Sequence, residues 1–280
     1  MIIALPFIGK VGISGRLRVT LRDAKTGIIK ADYWNGNKVV DVGLNLVRDL
    51  LGNANYEPSH IAVGTDNTAP VAGDTTLGTE VFRNAITLTD IDPQKVTFQL
   101  FLDAGDANGN ELKEAAVFSN MATDGGPMLS RVILSPTIDK DAETTATLSW
   151  EITFSRGAST NITDAGLTYL AKLLAGTELA PIYAAVGDDN TAWSASDTAL
   201  GNEVYREEIA RRKDDSKRIS FQMDIAAGDA SGYVLREAGL FNAASGGTML
   251  TRVLTSPVID KVTSPAATAV LTWKYDIAEA

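Results

Sequence analysis

The chain has 280 residues, 45% of them hydrophobic, no cysteine and a formal net charge of −10. Without cysteine, disulfides and thiolate metal sites are excluded, and an acidic balance argues against nucleic acid, whose phosphates need clustered cations. The length suits about two domains, each large enough to bury a core.

The chain opens on Met1-Ile-Ile-Ala-Leu-Pro-Phe-Ile-Gly9. This stretch is apolar but lacks the basic start and A-x-A site of a signal peptide. No segment approaches the roughly 18 apolar residues of a membrane helix. A strand or arm is expected. Ile2, Ile3, Leu5, Phe7 and Ile8 are costly to leave in water, so they are expected to bury against an adjacent subunit. Residues 1–40 carry a balance of +5, which leaves −15 for the remainder. Arg16, Arg18 and Arg22 would then face an acidic surface on the body or on a neighbour's body. An ordinary solvated hairpin is the alternative.

Arg16-Leu-Arg-Val-Thr-Leu-Arg22 alternates polar and apolar positions, Asp23-Ala-Lys-Thr-Gly27 is a turn, and Ile28 to Trp34 reads as the returning strand. A β-hairpin is predicted over residues 15–40, and residues 1–40 are read as an N-terminal arm and hairpin.

From residue 41 the chain repeats itself. Ala62-Val-Gly-Thr-Asp-Asn-Thr-Ala-Pro70 returns 123 residues later as Ala185-Val-Gly-Asp-Asp-Asn-Thr-Ala-Trp193. Asp74-Thr-Thr-Leu-Gly-Thr-Glu-Val-Phe-Arg83 returns as Asp197-Thr-Ala-Leu-Gly-Asn-Glu-Val-Tyr-Arg206, Glu114 as Glu237, Phe118 as Phe241 and Trp150 as Trp273. Around Met128-Leu-Ser-Arg131 and Met249-Leu-Thr-Arg252 the offset slips to 121. The pattern predicts a tandem duplication of a unit of about 115 residues, one domain each. The boundaries are 41–155 for the first copy and 161–280 for the second, joined by Ser155-Arg-Gly-Ala-Ser-Thr160.

Each copy begins with a short helix. Thr163 and Asp164 can cap the second, Leu167, Leu170, Leu173 and Leu174 share a face, and Gly176 ends it. Leu44, Val47, Leu50 and Leu51 hold those places in the first, with Gly52 as the stop. Helices this short need a sheet to pack on. The rest alternates with period two, as in Ile219, Phe221, Met223 and Ile225, or Ala146, Leu148, Trp150, Ile152 and Phe154. The fold class is therefore mainly β (α+β), as two antiparallel β-sandwich-like domains, each with one helix.

Chemistry is sparse. His60 is the single histidine, with Tyr183 at its counterpart and no identifiable partner for base catalysis. There is no G-x-S-x-G elbow, Walker loop or dinucleotide fingerprint. Neither a catalytic residue nor a cofactor is expected. Asp66-Asn67, Asp188-Asp-Asn190 and Asp103 to Asn110 offer oxygen ligands that suit calcium, but also the chemistry of tight turns. Asn108 and Asn110 become Ser231 and Tyr233, so turns are preferred. Glu114 and Glu237 sit in apolar stretches and should be ion-paired if buried. Arg83 and Arg206, or Arg131 and Arg252, are the candidate partners.

Thr163-Asp-Ala-Gly-Leu, Leu173-Leu, Ala185-Val-Gly-Asp, Thr198-Ala-Leu-Gly-Asn-Glu-Val-Tyr-Arg206 and Arg236-Glu-Ala-Gly-Leu-Phe241 together resemble the tail-collar fibre domain of tailed bacteriophages. That domain lies near the base of tail fibres, whereas here the pattern covers nearly the whole chain twice. The resemblance implies a structural virion protein of the tail, baseplate or fibre-attachment region, assembled in the host cytoplasm. Its partners would be itself and other virion proteins, with three copies setting six similar domains around one axis. Two alternatives stand beside it: a glycan-binding receptor module using Trp34 and Trp193, and a head decoration protein.

Overall fold

The computed structural model describes residues 2–54, 56–119, 126–158 and 160–280, with the side chain of Ile2 outside that description. The turn in which the repeat offset slips includes residues 120–125, and Ser159 belongs to the joining segment; both lie outside the described residues. The protein is mainly β, with two short helices among the described residues. It divides into two compact units. Unit N comprises Ile13–Val47, Asn55–Thr153 and Glu279–Ala280, and unit C comprises Met1–Gly12, Arg48–Ala54 and Phe154–Ala278.

Strand β1 (Ile2–Asp23) is long, and its residues 2–12 count in unit C while 13–23 count in unit N. The opening stretch is thus a sheet strand of the chain, not an arm set apart from it. The expected hairpin is present: β2 (Ile29–Gly36) pairs antiparallel with β1, from Arg16↔Gly36 to Arg22↔Ile29. Its turn is closed by Asp23 Oδ1, which accepts from the backbone N–H groups of Lys25 and Thr26, and by Gly27 at φ +71°.

In unit N, β6 (Leu88–Asp92), β7 (Lys95–Leu102) and β10 (Thr144–Arg156) follow β1 in the order β1-β10-β7-β6. A second sheet has the order β3-β9-β8-β4-β5, from β3 (Lys38–Val39), β4 (His60–Gly64), β5 (Glu80–Ala85), β8 (Asn110–Phe118) and β9 (Met128–Lys140). Alternate residues of β10 are buried, so Leu148, Trp150 and Ile152 point inward as their spacing requires.

Unit C uses β11 (Tyr183–Gly187), β12 (Glu203–Glu208), β13 (Arg211–Asp215), β14 (Arg218–Ile225), β15 (Val234–Phe241), β16 (Met249–Asp260) and β17 (Thr268–Glu279). Their orders are β13-β14-β17-β1 and β12-β11-β15-β16. The strands from β4 to β10 run in the same order as those from β11 to β17, whereas β2 and β3 have no counterpart strand in unit C among the described residues. Even the strand irregularities match, at Val63/Gly64 and Val186/Gly187, and at Leu112/Glu114 and Leu235/Glu237.

Helix α1 (Asp41–Leu51) and helix α2 (Asp164–Leu174) stand where the leucine spacing places them, and Leu44, Val47, Leu50, Leu167 and Leu170 are all buried. Thr163 caps α2 by accepting from Gly166 N at 2.9 Å. Past α2, Gly176 takes the left-handed conformation as expected; past α1 that role falls to Asn53 (φ +77°), not to Gly52. Asparagine tolerates this region better than other side chains, so the same C-terminal geometry survives the change.

Candidate functional site

The repeated motifs converge on one arrangement in each unit. In unit N, residues 65–79 form a long connection between β4 and β5. Glu114 of β8 is fully buried beneath it. Its carboxylate accepts from Thr79 N at 2.8 Å, Gly78 N at 3.1 Å and Arg131 Nε at 2.9 Å. The Arg131 guanidinium, itself buried, also donates to Asp74 Oδ2 at 2.8 Å and Asp66 Oδ2 at 3.1 Å. Asp66 folds its own turn by accepting from Thr68 N and Oγ1, and these bonds hold its carboxyl below the usual carboxylate value.

Unit C builds the same centre. Glu237 accepts from Asn202 N at 2.9 Å, Gly201 N at 3.0 Å and Arg252 Nε at 2.6 Å. Arg252 donates to Asp197 Oδ2 at 2.9 Å and Asp189 Oδ2 at 3.1 Å, and Asp189 is held low by the Thr191 hydroxyl and N–H. In both centres three carboxylates meet one guanidinium, which stands where a metal ion would otherwise be needed to offset their charge. A buried carboxylate is tolerated when its lone pairs are met by donors and an opposite charge, and both are supplied here.

Glycine fits where the backbone must come close. A Cβ on Gly78 or Gly201 would lie 2.3 or 2.1 Å from the Asp66 or Asp189 carboxylate. One on Gly43 or Gly166 would lie 2.1 Å from the carbonyl oxygen of Leu129 or Leu250, where the helix meets its strand. These are the glycines of the Asp-x-Gly-Leu and Leu-Gly-x-Glu motifs.

Arg83 and Arg206 do not meet the buried glutamates. Arg83 forks onto Glu80 at 2.7 and 2.9 Å, and Arg206 onto Glu203 at 2.6 and 2.8 Å. Each guanidinium also lies over a phenyl ring, Phe118 or Phe241, 3.8 Å from its centroid.

The remaining oxygen-rich loops are turns held by lysine. Asp103 Oδ1 accepts from Gly105 N and Asp106 N, while buried Lys140 donates Nζ to Asn108 Oδ1 and Asp141 O, each at 2.9 Å. Lys261, equally buried, donates to the carbonyls of Ala226 and Ala267. Among the described residues no group of three or more His, Asp or Glu is arranged to hold a metal. His60 Nδ1 lies 2.8 Å from Ser59 Oγ, and its pKa is lowered first by desolvation and then by the Arg83 charge. No carboxylate orients the ring among the described residues.

Several residues expected at a subunit interface are used within the chain. Leu5 is buried and Ile3 half-buried within the single chain, and Phe7 meets Trp273 of its own unit with ring centroids 5.3 Å apart. Ile8 alone among the four is exposed, at 65%. Arg16 pairs with Glu151 at 2.7 Å, Arg18 with Asp32 at 2.6 Å, and Arg22 donates to Gly27 O. Trp34 is 43% exposed, but the Arg16 guanidinium covers its face at 4.0 Å. Trp193 is half-buried, not exposed, and its indole Nε1 is buried with no partner among the described residues. It lines a groove of about 330 Å³ with Phe7, Ile8, Asn161, Leu254 and Tyr275.

No family model matches the chain, and no curated protein and no solved structure shows significant similarity to it.

Sequence reasoning also missed a larger surface feature. A groove of about 850 Å³ in unit C is lined by Arg211, Lys213, Asp215, Arg218, Gln222 and Lys274. Cations dominate it although the chain as a whole is acidic. The signal was present as Arg211-Arg-Lys213, but its meaning depends on β13 ending a sheet.

Proposed function

We propose that the protein is a non-enzymatic structural component of a tailed-bacteriophage virion, in the tail, baseplate or fibre-attachment region. It works through interfaces with copies of itself and with other virion proteins. The observation that carries this reading is the pair of arginine centres. The residues that resemble the tail-collar domain, Gly166, Gly201, Glu237 and their counterparts Gly43, Gly78 and Glu114, are consumed in holding a loop and a helix to a sheet. The resemblance is therefore one of folding module. Its occurrence in both units supports a tandem duplication of one β-sandwich-like domain.

Three such chains would set six similar domains around an axis, which suits the three-fold and six-fold symmetry of the resembling assemblies. Electron microscopy of purified particles with antibody-labelled chain tests the reading. Label at the tail or baseplate supports it, label on the head moves the chain to a decoration role, and absence from particles overturns it.

A second reading, a glycan-binding module, is favoured by the Trp193 groove, where Phe7 and Tyr275 give apolar faces and Asn161 an amide. Trp34 contributes less, because Arg16 already covers its ring. Specific glycan-array binding lost in Trp193→Ala would favour this reading over the first.

A further inference from the structure

Strands β6 and β13 hold the same place in the two units, and each ends its sheet order. An edge strand presents unpaired N–H and C=O groups, and such edges either are blunted by charge or recruit another strand. Four of the five residues are exposed in each. The two edges differ in charge. β6 reads Leu88-Thr-Asp-Ile-Asp92 and β13 reads Arg211-Arg-Lys-Asp-Asp215.

Which side chains share a face follows from the pairing. Leu88, Asp90 and Asp92 lie opposite Gln99, Thr97 and Lys95 of β7, away from inward-facing Phe98 and Val96. Arg211, Lys213 and Asp215 lie opposite Gln222, Ser220 and Arg218 of β14, away from inward-facing Phe221 and Ile219. Laid antiparallel and in step, β6 and β13 set Asp90 against Lys213 and Asp92 against Arg211, all on the outer face. The parallel alignment would instead set Asp92 against Asp215. Cross-strand pairs of opposite charge favour a register and like charges oppose it, so antiparallel pairing is the selected one. Asp90, Lys213 and Arg211 have no ion-pair partner in their own chain among the described residues, in contrast to Arg16, Arg18 and Arg218.

We propose that β6 of one copy pairs antiparallel with β13 of a second copy, placing its aspartates in the cationic groove of unit C. This names the surface for the self-association proposed above and rests on that part of the reading. The contact joins two different patches, so it propagates from copy to copy and closes as a ring when the rotation permits.

Because the chain lacks cysteine, single-cysteine variants test the contact directly. An oxidised mixture of Asp90→Cys and Lys213→Cys chains should give at least ten-fold more disulfide-linked dimer than either variant alone. Separately, Arg211→Glu with Lys213→Glu should reduce the mass in light scattering to that of one chain. Adding Asp90→Lys and Asp92→Lys to the same chain should restore the wild-type mass. Unchanged circular dichroism would show that each variant folds. An oligomeric wild type with no preferred cross-link, or no rescue by the complementary charges, overturns this contact and leaves self-association standing through another face. A wild type that stays monomeric overturns both.

Discussion

Arg131 Nε donates to Glu114 Oε2 at 2.9 Å, and the glutamate has no exposed surface. Removing the arginine strands a charge in the interior. Arg131→Met is expected to destabilise unit N by about 3–5 kcal/mol, and Arg252→Met unit C by a similar amount. Glu114→Gln in the Arg131→Met background should recover part of the loss. Urea unfolding followed by tryptophan fluorescence measures each step, and equal stability of wild type and Arg131→Met would refute the assignment.

Glycine substitutions separate close approach from mere exposure. At Gly43 and Gly166 a methyl group meets a backbone carbonyl that cannot swing aside. Alanine at either should cost about 1–3 kcal/mol as overpacking. At Gly36 nothing lies within 4 Å of the added carbon, and alanine there should gain up to about 1 kcal/mol. Thermal melts of the three variants give the order.

Trp150 and Trp273 occupy equivalent strands and are both fully buried. Either to alanine should cost about 3–5 kcal/mol. The phenylalanine variants should differ. With its oxygen turned toward the indole, the Asn37 amide accepts from Trp150 Nε1 at 2.5 Å, whereas Trp273 Nε1 has no partner among the described residues. Trp150→Phe should therefore be the worse by about 1 kcal/mol, and the reverse order in denaturant midpoints would refute the pairing.

Acid should loosen both units. Asp66 and Asp189 are held below the ordinary 3.8, the first mainly by the Thr68 backbone N–H and the second mainly by the Thr191 hydroxyl. The unfolded chain then takes up protons first. Their contribution is complete above the unfolded value and is lost as pH falls through the lower folded values. Glu207 has the opposite sign: burial raises its pKa above 4.5, so its contribution is present at low pH and lost as pH rises through the folded value. Asp66→Asn with Asp189→Asn should flatten the acid limb of stability against pH, and Glu207→Gln should raise stability near neutrality. Unfolding midpoints between pH 3 and pH 8 read both.

Chelation should leave the melting temperature unchanged. Arg131, Arg252, Lys140 and Lys261 already sit among the oxygen atoms that suggest calcium in the sequence. A drop of several degrees on adding EDTA, restored by calcium, would overturn this.

Much of the fold was legible because periodicity reports burial directly. The alternation along β14 and β17 and the leucine spacing of α2 fix inward faces before any contact is known. The partner of Glu114 was not legible, since Arg83 and Arg131 both lie on strands of the same sheet. Register decides it: Arg131 stands opposite Ala116, diagonal to Glu114 across β8 and β9, while Arg83 pairs across β4. The role of the first 23 residues was also hidden. Their composition says that they must be covered, but an apolar stretch does not state whether its own sheets or a neighbour will do it. The edge charges were hidden for a related reason, because Arg211-Arg-Lys213 reads as any solvated run until β13 is known to lack an outer partner.

Strand β1 sets an order on assembly during synthesis. Its residues are made long before those of its neighbour β17 (Thr268–Glu279), and Val39 N donates to a Glu279 carboxylate 240 positions downstream. Closing so long a loop is slow relative to local structure. A nascent chain that ends before β17 therefore lacks one of the two strands that flank β1 in its sheet. Phe7 lacks its Trp273 contact until the far end arrives, which makes the half-made chain the species most in need of a chaperone.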